Sequence, residues 1–198
     1  MKITAKMVGD LRARTGAGMM DCKKALTETN GDVDLAIQLL REKGLKASEL
    51  KSSRQASEGT ITSYIHPGSR VGVLVEINCE TDFVARTDEF QKLAKNIAMQ
   101  IAASKPTYLD RESVPADVIE SEKSILKQQD DIQGKPEQII EKIVEGRIDK
   151  FFAEVCLIEQ SYIKDNDKTI SEIVKEAVAK LGENIVVNRF SLFVLGQT

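Results

Sequence analysis

The sequence predicts an α+β fold: a three-helix N-terminal bundle, then a small antiparallel sheet with helices on one face and a projecting antiparallel helical hairpin. Three observations carry this. Three short apolar-periodic stretches fall within the first 44 residues, separated by glycine-containing breaks. Two runs of period-two alternation flank Pro67-Gly68-Ser69, as in a β-hairpin. Two charged stretches with thin apolar stripes flank Gly134-Lys135-Pro136, as in a helical hairpin.

In the bundle, Thr4 is placed to cap a helix running to about Arg14, with Met7, Val8 and Leu11 at helical spacing. Thr15-Gly16-Ala17-Gly18 breaks it. A second helix spans roughly Met20 to Glu28 and stops at Asn30-Gly31, a left-handed pair. Asp32 caps a third, whose apolar face is Val33, Ala36, Ile37, Leu39 and Leu40 and whose end is set at Gly44. Met19 and Met20, at the joint of the first two helices, read either as core filler or as a soft apolar contact patch. Residues 1–44 are thus expected as one domain. The polar stretch 45–58 is read as a linker, partly helical. Residues 59–198 form the core domain.

Gly59 opens a strand to about His66, and Val71 to Asn78 returns antiparallel. The octet Cys79-Glu80-Thr81-Asp82-Phe83-Val84-Ala85-Arg86 then forms a strand-to-helix junction, where free backbone N–H groups welcome a carboxylate. Two readings stand side by side. Thr81 or Asp82 is an N-cap and Phe83 turns into the core, or Asp82 and Phe83 form a rigid probe offered to another protein. A helix follows to about Ala103 and ends before Pro106. The hairpin, about 115–152, starts at Pro115, runs to about Asp131, and returns from Glu137 to about Phe152. Val155 to Ile163 reads as a less regular extended segment. Thr169-Ile170-Ser171-Glu172 has capping-box form and opens a helix ended by Gly182. Asn184 to Leu195 is expected as a third strand alongside the first two.

Composition narrows the function. A net charge of −3 and the absence of Trp argue against a nucleic-acid binder working through bulk charge and base stacking. The N-terminus lacks a signal-peptide apolar core and no run is long enough to span a bilayer, so a cytoplasmic protein with no membrane association is expected. Cys22, Cys79 and Cys156 are far apart and form no C-x-x-C, which suggests neither zinc nor disulfides. His66 is the sole imidazole, which removes most histidine-based nucleophilic and metal schemes within one chain. Gly16-Ala17-Gly18 is followed by Asp21 where a dinucleotide fingerprint needs glycine. No cofactor, metal or catalytic residue is expected.

Two stretches carry a family resemblance. Arg14-Thr15-Gly16-Ala17-Gly18-Met19-Met20-Asp21-Cys22-Lys23-Lys24-Ala25-Leu26 and Glu76-Ile77-Asn78-Cys79-Glu80-Thr81-Asp82-Phe83-Val84-Ala85 resemble the N-terminal and core signatures of bacterial-type elongation factor Ts. Weaker support comes from Ile101 to Pro106 and from Val144 to Arg147. The resemblance implies a ubiquitin-associated-like N-terminal domain that docks on the GTPase domain of elongation factor Tu, through Leu11, Met19 and Met20. It implies that Thr81, Asp82, Phe83 and Val84 wedge beside that partner's nucleotide site and dislodge its magnesium ion, so GDP leaves and GTP rebinds. On this ground the probe reading is preferred over the core reading of Phe83. Longer members carry two copies of the core subdomain and this chain has room for one, so the resemblance implies a homodimer. His66 is then either a second partner contact or a turn residue in water. Two rivals remain: an adaptor that binds through the N-terminal bundle alone, and an enzyme with a pocket built at a dimer seam from Asp82, Glu76 and His66.

Overall fold

A computed structural model describes residues 2–197. The bundle consists of α1 (Ala5–Thr15), α2 (Met19–Glu28) and α3 (Val33–Glu49). Thr4 caps α1 by accepting from the Met7 N–H, and Asp32 caps α3 by accepting from the N–H groups of Asp34 and Leu35. Gly16, at φ +69°, ends α1 in the left-handed conformation a glycine adopts at least cost. Val8, Leu11, Cys22, Ala25, Leu26 and Ala36 close a small core between the three helices.

The third helix does not end at Gly44. It continues to Glu49, and Gly44 lies inside it because another helix passes close by: a Cβ there would stand 3.1 Å from that of Ala179. Glycine here serves close packing, at some cost in helix propensity, rather than termination.

Strand β1 (Glu58–Ile65) pairs with β2 (Val71–Cys79) across a turn in which Gly68 and Ser69 have positive φ. Gly59 is held so near β2 that a Cβ would overlap the Ile77 carbonyl. Along β2, Val73, Val75, Ile77 and Cys79 are buried while Leu74 is exposed, so one face is covered and the other open. The third strand of the sheet, β5 (Ile185–Val194), borders β2 in the order β1-β2-β5. Its antiparallel sense is visible at both ends: Leu195 N–H donates to the Arg70 carbonyl, and Asn184 N–H donates to Glu80.

Between β2 and β5 lie α4 (Asp82–Ala85), α5 (Asp88–Ser104), α6 (Ala116–Lys127), α7 (Glu137–Val155), a 3-10 turn at Leu157–Glu159, β3 (Ser161–Tyr162), β4 (Asp165–Thr169) and α8 (Ile170–Leu181). The single turn α4 and the β3–β4 ribbon are additions to the expected elements. The ribbon lies where an extended segment and a capping box were read. Gln100, fully buried on α5, organises it: its Nε2, with two protons to give, lies 3.0–3.2 Å from three acceptors, on Ser104, Gln160 and the Ser161 carbonyl, and its Oε1 accepts from the Ile163 N–H. A buried amide with every bond made fixes its partners, and no local pattern announces such a pairing.

The chain gathers into two compact units. The first contains Met1–Thr62, Glu76–Lys95 and Glu172–Asn188, and so holds the bundle, α4 and α8. Within it α8 reaches the bundle at several points: Arg41 bonds Glu172 at 2.8 Å, Lys180 packs over Gly16, and Ala179 faces Gly44. The second unit contains Ser63–Val75, Asn96–Ser171 and Arg189–Thr198. There α6 and α7 form the helical hairpin around Val114, Leu126, Ile132, Val144, Ile148, Phe152 and Cys156. Arg111 lies 4.5 Å over the Phe152 ring and bonds Glu159 and Asp149, whose carboxylates hold its guanidinium firmly charged.

Candidate interaction site

Cys79 closes β2 fully buried, and its thiol donates to the Thr81 carbonyl at 3.1 Å. Burial, and then the nearby Glu183 carboxylate, push that thiol above its ordinary range. Thr81, extended at φ −131° and ψ 153°, is the N-cap of α4, and its hydroxyl accepts from the Val84 N–H at 3.4 Å. The turn closes through Arg86 N–H to the Asp82 carbonyl, and the Asp82 carboxylate pairs with the Arg86 guanidinium at 2.7 Å. The Val84 carbonyl accepts from the Thr87 hydroxyl at 2.8 Å, and Thr87 in turn caps α5 through the Phe90 N–H. Gln91 Nε2 donates to the Ala85 carbonyl at 2.7 Å. One helical turn is therefore bonded at its start, along its length and at its exit.

Phe83 sits at the crest of this turn with 79% of its surface exposed. The inward reading of Phe83 is thereby corrected. Capping and presentation are not alternatives: Thr81 caps, and the cap turns Phe83 outward while Ala85 and Phe90 take the buried positions. An exposed phenyl ring on a firmly bonded turn leaves apolar area in water that a partner can cover.

Residues 21–197 match the family described as "Elongation factor TS". Curated relatives named "Elongation factor Ts" align over nearly the whole chain. The protein from Syntrophomonas wolfei is 60% identical over 98% of this chain and 91% of its own length. That from Herpetosiphon aurantiacus is 58% identical over 99% of both. The chain belongs to the elongation factor Ts family. As an elongation factor of this family it serves protein biosynthesis.

The other residues expected as contacts lie partly at the surface and partly in the core. Met19 and Met20 open α2 and are 46% and 63% exposed, so they are surface rather than core filler. Leu11 is 1% exposed and lies in the bundle core. It has no surface to offer, so the expectation that it touches a partner is corrected: it supports α1 from within. His66 is exposed just past β1, its Nδ1 3.2 Å from the Tyr64 hydroxyl. Asp82 is engaged with Arg86, and Glu76 lies 3.4 Å from the Asn78 amide. Among the described residues no cluster of three or more His, Cys, Asp or Glu could hold a metal ion, and no helix is long and apolar enough to cross a membrane.

Glu80, Glu183 and Asn184 were not singled out in the sequence. Glu80 accepts from the Asn184 N–H at 2.7 Å and pairs with Arg54 at 3.4 Å. Asn184 Nδ2 donates to the carbonyls of Ser52 and Arg54. The partners of Asn184 are more than 100 residues from it in the chain, beyond the reach of any spacing rule.

Proposed function

We infer that this chain is a guanine nucleotide exchange factor for elongation factor Tu, acting during translation elongation by promoting GDP release so that GTP can rebind. Family membership supports the role. The observation that carries the mechanism is Phe83, exposed on a turn bonded at both ends.

Thr81, Asp82, Phe83 and Val84 form the element that enters elongation factor Tu beside its nucleotide site. Covering the exposed ring supplies about 1.5–3 kcal/mol, enough to help shift the partner's packing. Magnesium on a nucleotide needs near-octahedral oxygen geometry at short distances, so a small displacement of its ligands in the partner weakens it sharply. With the ion loosened, the diphosphate loses its counter-charge. By linkage, a protein that binds the empty GTPase better than the GDP form weakens GDP binding by the same factor. No bond is made or broken in this scheme, and the chain acts as a binding protein rather than an enzyme.

Met19 and Met20 supply a second contact, soft apolar side chains that adapt to the GTPase surface. His66, exposed beside Tyr64, is a further contact with another domain of the same partner. Residues 1–44 act as a docking domain and 59–198 as the exchange core. The chain works in the cytoplasm, as a homodimer. The sheet surface in the second unit supports self-association: Ile65, Leu74, Phe193 and Leu195 are all exposed there, apolar side chains that a second copy could cover.

The test is release of fluorescent GDP from purified elongation factor Tu. Addition of the full chain at micromolar concentration should accelerate release by about a hundredfold or more, the factor that a release barrier lowered by about 3 kcal/mol provides. An unchanged rate would refute the assignment.

A further inference from the structure

Resting on the probe role of Phe83, we propose that Glu183 is a positioning residue for exchange. Its carboxylate is the brace that holds the α4 turn at the angle from which Phe83 acts.

The geometry is specific. Glu183 Oε1 accepts from the Thr81 hydroxyl at 2.6 Å, and Oε2 accepts from the Thr81 backbone N–H at 3.0 Å. Both donors belong to the residue that caps α4. The hydroxyl has a single proton, which it gives to Glu183, and its lone pair receives the Val84 N–H. The cap is thus oriented from behind by a charge-assisted, two-point grip, stronger than a neutral bond and stiff in direction. Asp82 and Phe83 follow immediately in the chain.

Glu183 is itself well anchored. Gly182, at φ +83°, reverses the chain after α8, which puts Glu183 at the corner between α8 and β5. Its neighbour Asn184 is buried and bonded to Glu80, Ser52 and Arg54. On α8, Lys180 pairs with Glu89 at the head of α5. The carboxylate therefore reports the position of α8, and α8 also touches the bundle at Gly16, Arg41 and Gly44. Glu183 ties the probe to the same helix on which the docking bundle rests. A near-rigid link between two contacts keeps the binding energy of one available at the other.

The experiment measures the rate of GDP release from elongation factor Tu against concentration of the full chain. The variants are Glu183→Ala, Glu183→Gln, Thr81→Val, Phe83→Ala and the Glu183→Ala/Phe83→Ala pair. Loss of charge-assisted bonds should lower the maximal rate of Glu183→Ala about tenfold, while the half-saturating concentration moves less than about twofold. Glu183→Gln retains one acceptor and recovers part of the rate. Thr81→Val, which keeps the N–H and loses the hydroxyl, falls between Glu183→Ala and wild type, and it decides the matter if Glu183→Ala does not fold. On a Phe83→Ala background Glu183→Ala should cost nothing further, since a loosened brace has no probe left to aim; independent losses that simply multiply would mark a general structural role and overturn the proposal. A Glu183→Ala rate equal to wild type, with Phe83→Ala impaired, would overturn the proposal and leave the probe role standing. A Phe83→Ala rate equal to wild type would overturn the probe role itself, and this proposal with it.

Discussion

Whether Phe83 points into the molecule or out of it depends on one threonine. One sequence reading places a cap at Thr81 or Asp82 and the other a probe at Asp82 and Phe83; Thr81 is the cap, and Phe83 is exposed. What the octet could not disclose is that the cap is itself held from afar, by Glu183, 102 positions away. The thiols show the same division between local and distant information. Their separation along the chain predicted unpaired cysteines, and all three are free and buried. What surrounds the thiol of Cys156 is assembled only by the fold. Burial first, and then Glu159 and Asp110, push Cys156 up to about 11 from an ordinary 9.0. A thiol raised in the folded state stabilises the fold fully below pH 9, and that contribution disappears as pH rises through 11. At pH 8 iodoacetamide should alkylate Cys156 at least about tenfold more slowly in the native chain than in urea, as peptide mass mapping would read it. Equal rates would mean that the hairpin base opens freely.

Among the elements, those with a strong period of their own were legible and those defined by a partner were not. Helices α1, α2, α5 and α8 and strands β1, β2 and β5 lie where periodicity and caps placed them. The β3–β4 ribbon was not, since two- and five-residue strands have too few positions to show alternation. Gly44 departs from its local pattern for a related reason. Glycine after a periodic run signals a terminus, but here it admits α8. Gly44→Leu should destabilise the chain by about 1–3 kcal/mol through overpacking against Ala179, lowering the thermal midpoint, although leucine is the better helix former. A raised midpoint would show that the glycine is a helix defect and not a packing site.

At the scale of the whole molecule, the fold class, the N-terminal helices and the small antiparallel sheet followed from sequence, and family membership is borne out across 98% of the chain. The residues that the resemblance marks as partner contacts divide by burial. Met19, Met20 and Phe83 have surface to give, and Leu11 has none. A signature marks which residues a family keeps together and does not separate those that touch a partner from those that support them. Self-association belongs to this scale as well. If the open apolar surface at Ile65, Leu74, Phe193 and Leu195 is the dimer face, sedimentation should find the wild-type chain at twice its 21.9 kDa. Phe193→Asp should weaken that dimer by about 2 kcal/mol or more, since a charge would enter a desolvated patch. A Phe193→Asp chain that dimerises as tightly as wild type would place the contact elsewhere.

Exchange by this chain turns on Phe83. Stopped-flow release of fluorescent GDP from elongation factor Tu, with wild type and Phe83→Ala at matched concentration and matched circular dichroism, tests it most directly. Removing the ring should slow stimulated release by about tenfold or more, because the 1.5–3 kcal/mol of apolar burial is gone, while the thermal midpoint stays within about 2 °C since the ring contributes little to its own fold. A Phe83→Ala chain that folds normally and releases GDP as fast as wild type would contradict it.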